Sequence, residues 1–166
     1  FIKLIGTVYR DVNIALANEF ACYADAFGLD VTAAIAAANS YPYTHIHTPG
    51  IGVGGHCIPV YPYFLLADLA DTNHTNHIGR DSQSRMLMLP RSARRINDAM
   101  AEYAVHRIEA VVGSLAHQPV LILGAAYRGN VHEAAFSSAK LLQDALLTCG
   151  ATVYVDDPLF SDEELQ

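Results

Sequence analysis

The sequence has few basic residues and no long apolar run, and each shortage argues against a class of protein. Ten lysines and arginines stand against 17 aspartates and glutamates, and the formal net charge is −7. This charge and the lack of a basic cluster argue against a nucleic-acid partner. No stretch of about 18 consecutive apolar residues is present, so we predict no membrane span. The first residues also lack the basic region and cleavage site of a signal peptide.

Cysteine is scarce as well. Cys22, Cys57 and Cys149 are odd in number and widely spaced, which predicts reduced thiols in a cytoplasmic protein rather than a disulfide framework. The chain starts at Phe1 instead of a methionine, and we expect it to be a piece of a longer protein.

Apolar residues at spacings of three and four predict a mainly helical first part. Gly28 is a plausible stop for the first helix, and Asp30 a plausible cap for the second. The predicted helices span residues 3–27, 31–39, 63–69 and about 92–113.

Between and after these helices, two segments predict irregular structure. Residues 40–62 hold four of the seven prolines and four of the 11 glycines, a composition typical of a shaped loop. Residues 71–77 are polar and predict a turn.

The pattern changes after His117. Residues 120–124 and 151–156 are short apolar runs that predict buried strands, and residues 134–148 have a helical pattern between them. Strand, helix and strand predict a Rossmann-like βαβ unit. One such unit cannot cover both faces of a sheet, so we expect further strands outside this chain.

Gly50, Gly52 and Gly55 match the spacing G-x-G-x-x-G of dinucleotide sites. That motif needs a preceding strand and a following helix start, whereas prolines flank this loop on both sides. Glycines beside a cysteine favour another interpretation, in which side chains are absent so that a substrate can approach the thiol.

Cys57 admits two interpretations. A free cysteine is commonly a small buried apolar residue, but a thiol next to His56 in a glycine-rich loop is also a candidate nucleophile. His45, His47 and His56 lack the ligand spacing of a structural zinc site, so we predict no metal.

The segment Gly124–Gly129 follows the first predicted strand. It is either a ligand-binding edge, where Arg128 could hold a phosphate, or simply a tight turn.

Four stretches together resemble the UDP-glucose/GDP-mannose dehydrogenase family, and most of all its branch that acts on UDP-N-acetylmannosamine and related N-acetylhexosamines. The run Gly52-Val53-Gly54-Gly55-His56-Cys57-Ile58-Pro59 is the most specific of them. The stretches are residues 9–19, 49–59, 93–98 and 123–131, with Asp157–Pro158 as a further match.

The resemblance implies an architecture. Residues 1–113 correspond to a central helical dimerisation domain that carries the catalytic loop, and residues 118–166 to part of a C-terminal UDP-binding domain. The family's N-terminal NAD-binding domain is expected to be absent from this chain. The apolar stripe of the first long helix would pair two copies into a homodimer.

It also implies a mechanism. The family oxidises the C6 hydroxyl of a UDP-sugar twice with NAD and without a metal, and a cysteine holds the intermediates as a thiohemiacetal and a thioester before hydrolysis to the uronate. Cys57 matches this cysteine, and Lys3 matches the lysine that stabilises the oxyanion. The residues implied to bind substrate are Gly52, Gly54, Gly55, His56, Tyr43, Tyr127 and Arg128.

Several positions depart from the family pattern. Thr7 replaces an asparagine. Tyr61 replaces an aspartate that is a candidate base. A phenol is a weaker acid than a carboxyl and stays protonated at neutral pH, so it is a poor substitute for that aspartate. Tyr43 replaces an arginine that reaches the neighbouring subunit's substrate. Ala135 replaces an arginine that contacts the cofactor. Arg128 replaces a lysine and keeps its charge.

We therefore expect a fragment or truncated relative of a UDP-N-acetylhexosamine 6-dehydrogenase of polysaccharide precursor synthesis, inactive alone. The alternatives are a non-catalytic dimerisation module and a UDP-binding remnant.

Overall fold

The computed structural model describes residues 1–70 and 86–165, without the side chains of residues 68–70. The predicted turn at residues 71–77 lies outside the described residues. The chain divides into two compact units, Phe1–Gly50 with Cys57–Asn97 and Ile51–His56 with Asp98–Gln166. The domain limits drawn from the resemblance stay a prediction.

The first two helices confirm the predictions within one residue. Helix α1 spans Ile2–Phe27 and ends at Gly28, whose φ of 65° is the left-handed conformation that glycine adopts without strain. Helix α2 spans Val31–Asn39, and the Asp30 carboxylate caps it by accepting the Ala33 N–H at 3.0 Å.

The next two helices begin earlier than predicted. Helix α3 spans Tyr61–Ala70 and α4 spans Met88–Val112. In each case a proline, Pro62 or Pro90, lies in the first turn, where N–H groups have no partner within the helix. The predicted loop accordingly ends at residue 60. No helix among the described residues is long and apolar enough to cross a membrane.

In the first unit, α1 packs against α2 and α3. The buried face of α1 is made of small residues such as Ala15, Ala17 and Ala24. Polar side chains are buried in the same unit. They are Thr7, Asp11, Asn18, Arg94 and Asn97.

The second unit contains the predicted βαβ arrangement. Strand β1 spans Pro119–Leu123, helix α5 spans Ser138–Thr148 and strand β2 spans Thr152–Asp156. The strands pair in parallel, from Pro119 opposite Thr152 to Leu123 opposite Asp156. Helices followed by a partial βαβ unit confirm the predicted fold class. The core of this unit is formed by Val105, Leu115, Ile122, Leu146 and Ala151.

The predicted start of α5 at residue 134 is wrong by four residues. Phe136 has a φ of 53°, a left-handed conformation that interrupts a right-handed helix. Ser137 then takes an extended conformation, and its hydroxyl accepts the Ala139 N–H at 3.2 Å as the N-cap.

Candidate active site

Cys57 lies where the glycine-rich loop turns into α3. Its carbonyl accepts the N–H of Tyr61 at 2.9 Å, the first bond of helical spacing in this segment. The side chain is partly buried and forms no disulfide. The thiol thus lies in the turn that leads into α3, where it is still partly exposed to solvent.

Lys3, in the first turn of α1, lies beside this thiol and the Tyr61 ring. Its Nζ is 4.7 Å from the ring centroid, a cation–π distance. Interaction with the Tyr61 side chain, and then the charge of Cys57, raise the pKa of Lys3 above its ordinary value. Lys3 is therefore a cation at neutral pH. The first unit thus brings together three of the predicted catalytic residues, Lys3, Cys57 and Tyr61, although Lys3 and Tyr61 are 58 positions apart in the sequence.

The fourth predicted catalytic residue, Thr7, lies one turn after Lys3 in α1 and has its hydroxyl bonded to the backbone. It is buried, and its hydroxyl lies 2.9 Å from the carbonyl oxygens of both Lys3 and Leu4, to which it donates. This is the usual bonding of a threonine within a helix. The hydroxyl is engaged by the backbone of α1 itself.

Tyr43 lies in the turn after α2. It is 83% exposed, and its ring contacts Tyr41 edge-on with centroids 5.3 Å apart. No described contact connects it with Lys3, Cys57 or Tyr61.

In the second unit, the loop of residues 51–56 packs closely on the turn that follows β1. A Cβ on Gly54 would lie 2.6 Å from the Cβ of Tyr127 and 2.8 Å from the carbonyl oxygen of Phe136. Gly55 has a φ of 90°, and its backbone faces the Tyr127 ring. Glycine is therefore required here by the contact with Tyr127 and Phe136.

His56 adds two further contacts between the loop of residues 51–56 and the segment before α5. Its Nε2 lies 3.1 Å from Oε2 of Glu133, and its ring meets Phe136 edge-on with centroids 6.0 Å apart. The other Glu133 oxygen accepts the N–H of Ala135 at 2.9 Å. That backbone bond, and then the bond to His56, lower the pKa of Glu133, so the carboxylate is ionised at neutral pH.

An open crevice of about 820 Å³ lies at the carboxyl end of β1 in the second unit. Its lining includes Gly52, Tyr127, Arg128 and the first residues of α5, starting at Ser138. Arg128 is exposed, with its guanidinium carbon 5.7 Å from the Tyr127 ring centroid. An arginine near a helix N-terminus provides a favourable setting for phosphate groups.

Asp157 shapes the same edge of the sheet. Its carboxylate accepts the N–H groups of Leu159 at 3.0 Å, Ala125 at 2.9 Å and Ala126 at 3.2 Å. These bonds lower the pKa of Asp157. The Asp-Pro pair therefore ties the loop after β1 to the loop after β2.

Residues 1–85 match the central domain of the UDP-glucose/GDP-mannose dehydrogenase family. The chain belongs to this family. The UDP-N-acetyl-D-mannosamine dehydrogenase of Methanococcus maripaludis (strain C7) is 39% identical over 159 residues, which make up 95% of this chain and 34% of that protein. The chain thus spans about a third of the length of the curated relatives it matches.

Solved structures of dehydrogenases are also similar to this chain. The UDP-D-ManNAc dehydrogenase of Pyrococcus horikoshii aligns with a TM-score of 0.79 and 35% identity over 99% of this chain and 38% of its own. The UDP-N-acetyl-mannosamine dehydrogenase of Staphylococcus aureus aligns with a TM-score of 0.76 and 32% identity, over 99% of this chain and 36% of its own.

NAD, the cofactor of this dehydrogenase family, does not fit the described residues. The segment before Gly50 forms no strand, and α3 begins only at Tyr61, so the G-x-G-x-x-G spacing lacks the setting that binds a pyrophosphate. Among the described residues, no three His, Cys, Asp or Glu side chains are grouped to hold a metal.

Sequence reasoning missed the asparagines that hold the chain leading into the loop. Asn13 accepts the His47 N–H at 2.9 Å and donates to the His45 carbonyl at 2.6 Å. Asn39 bonds both the N–H and the carbonyl of Ile46 at 2.8 Å. Asparagine is disfavoured inside helices, and its presence within α1 was the available signal.

Proposed function

We propose that this chain carries the nucleophile and the cation of a UDP-N-acetylhexosamine 6-dehydrogenase, with UDP-N-acetylmannosamine as the substrate. The observation that carries the proposal is the cluster of Cys57, Lys3 and Tyr61 in the first unit. The whole protein would oxidise the C6 hydroxyl of the sugar to a carboxylate for polysaccharide precursor synthesis. We place it in the cytoplasm, where thiols stay reduced.

The chemistry follows from two side chains. The Cys57 thiolate attacks the C6 carbon of a sugar aldehyde, forming a C–S bond while the carbonyl π electrons move to oxygen. The Lys3 ammonium stabilises that negative charge, and a proton from solvent or from Lys3 then yields a thiohemiacetal. The Tyr61 ring lies beside the ammonium and would hold it through a cation–π contact. Thr7 supports this turn of α1 through the backbone.

The crevice of the second unit supports the UDP part of the proposal. Arg128 provides the positive charge for a diphosphate, and Tyr127 an aromatic face beside it. Gly52 lines the same crevice, and Gly54, Gly55 and His56 shape the loop that packs against Tyr127. Tyr43 is exposed and would reach a substrate of a second copy.

The isolated chain is expected to give no turnover, because the described residues provide no fitting site for NAD. Mixing it with UDP-N-acetylmannosamine and NAD, and following NADH absorbance, tests this expectation. A flat trace agrees with it. Steady NADH formation that disappears in Cys57→Ala would show that the chain itself binds NAD, and would overturn this part of the proposal.

A homodimer through α1 is the partner that we propose. The helix carries a stripe of exposed apolar side chains at spacings of three, four and seven residues, which is the pattern of a helix–helix contact. Its members are Ile2, Ile5, Tyr9, Leu16, Phe20, Tyr23 and Phe27. This stripe also favours a second candidate, a non-catalytic dimerisation module, which would dimerise and capture no aldehyde.

Phe20→Glu is expected to convert a dimer into a monomer, because it places a charge in the middle of the stripe. Light scattering or sedimentation measures the mass directly. Val111→Glu is the matched control, since Val111 is an exposed apolar residue of α4 outside the stripe. A wild-type chain that stays monomeric at high concentration would contradict the dimer.

A further inference from the structure

Four buried polar side chains of the first unit form a connected series. Asp11, Asn18 and Asn97 are 0% exposed and Arg94 is 4% exposed. Burying such groups is costly unless they are hydrogen-bonded. Their bonds join two helices, since Asp11 and Asn18 lie on α1 while Arg94 and Asn97 lie on α4.

The direction of each bond in this series is set by the one before it. The Asp11 carboxylate pairs with the guanidinium of Arg94 and can only accept. The side-chain nitrogen of Asn97 donates to Oδ1 of Asp11 at 2.8 Å and to the Asp11 carbonyl at 3.0 Å. Both of its hydrogens are thereby committed, and its oxygen must act as an acceptor.

The series continues to the loop. The oxygen of Asn97 accepts from Nδ2 of Asn18 at 2.9 Å, and this turns the oxygen of Asn18 towards the N–H of Gly50, also at 2.9 Å. Flipping either amide would place two donors or two acceptors face to face. The ion pair of Asp11 and Arg94 thus sets the orientation of the Asn97 amide and, through it, of the Asn18 amide. The Asn18 oxygen is therefore the atom that accepts from the N–H of Gly50.

Gly50 is the last residue before the loop of residues 51–56, and Cys57 follows directly. We infer that Asn18 and Asn97 are positioning residues, which fix the start of this loop and through it the place of the Cys57 thiol. The functional side of this inference rests on the proposed role of Cys57. Asn97 acts at a distance, through Asn18.

Asn18→Asp tests the direction of the series. When ionised, the new carboxylate presents an oxygen to the oxygen of Asn97, and the repulsion between them is expected to displace the side chain from the N–H of Gly50 as well. When protonated it can donate and restore the series, and burial raises the pKa of a carboxyl in such a place. The variant should therefore behave like the wild type at about pH 5 and differ from it at about pH 8.

Two rates report the outcome, each taken as the ratio of variant to wild type at the same pH. Hydrogen exchange of the Gly50 amide, followed by NMR, should become about tenfold faster in the variant at the higher pH, as expected for the loss of one hydrogen bond. Alkylation of Cys57 by iodoacetamide, followed by peptide mass, should fall over the same pH range, because the thiol is no longer held beside Lys3. Asn97→Ala should produce both changes at every pH.

Asn39→Ala is the matched control. It removes two bonds to Ile46 of the same segment but touches no member of the series, so both ratios should stay independent of pH. A ratio for Asn18→Asp that does not change with pH would overturn the inference. So would Gly50 exchange that accelerates without any change at Cys57.

Neither readout involves a sugar, so a failure of the proposed dehydrogenase chemistry would leave the test intact. If Asn97→Ala does not fold, Asn18→Asp at low pH provides its own folded reference.

Discussion

Cys57→Ser is expected to abolish the extra affinity of the chain for a UDP-sugar that carries an aldehyde at C6. The wild type should bind this aldehyde at least about tenfold more tightly than the corresponding alcohol, because a C–S bond adds to the same noncovalent contacts. A serine hydroxyl is a far weaker nucleophile, so the variant should bind both compounds equally. Titration calorimetry with the two compounds measures the ratio.

Cys149→Ser is the control for this prediction. Cys149 lies at the end of α5, next to the core of the second unit, and is partly buried like Cys57. Its replacement should leave the preference for the aldehyde unchanged. If Cys57→Ser still binds the aldehyde more tightly than the alcohol, Cys57 is not the residue that forms a bond with the aldehyde.

Gly54→Ala is expected to destabilise the second unit. The added methyl group would lie 2.6 Å from the Cβ of Tyr127 and 2.8 Å from a carbonyl oxygen, and neither is the far end of a flexible side chain. Overpacking of this kind lowers the free energy of unfolding by about 1–3 kcal/mol. Denaturant unfolding measures the loss of stability. Faster hydrogen exchange of the Tyr127 amide would show that the loss arises at the contact between Gly54 and Tyr127.

Gly129→Ala is the matched control, because a Cβ on Gly129 would meet nothing within 4 Å. Its free energy of unfolding should stay within about 0.5 kcal/mol of the wild type. Equal effects of the two substitutions would contradict the close packing of Gly54 on Tyr127.

The regular elements could be predicted because their signals are local. Helical spacing locates α1 and α2 within one residue, and Gly28 and Asp30 mark their ends through their own backbone and side-chain preferences. The start of α5 could not be predicted in the same way. Phe136 has a positive φ, which the backbone preference of phenylalanine does not predict.

The candidate site could likewise be predicted only in part. The family resemblance pointed to Lys3, Cys57 and Tyr61, and the structure brings Lys3 to the Tyr61 ring and within electrostatic reach of Cys57. The resemblance could not predict that the Thr7 hydroxyl bonds the backbone of its own helix. Nor could it predict that Gly54 meets Tyr127, because both depend on three-dimensional neighbours. The buried amides were also missed, since a sequence does not reveal which polar side chains are internal.

The proposed function depends on the capture of a sugar aldehyde by Cys57. The most direct measurement is the ¹³C NMR spectrum of the wild-type chain mixed with a UDP-N-acetylmannosamine aldehyde labelled at C6. We expect a resonance for a carbon bonded to one oxygen and one sulfur, and this resonance should be absent when Cys57 is alkylated first. A spectrum that contains only the aldehyde and its hydrate, or an imine carbon formed with a lysine, would contradict it.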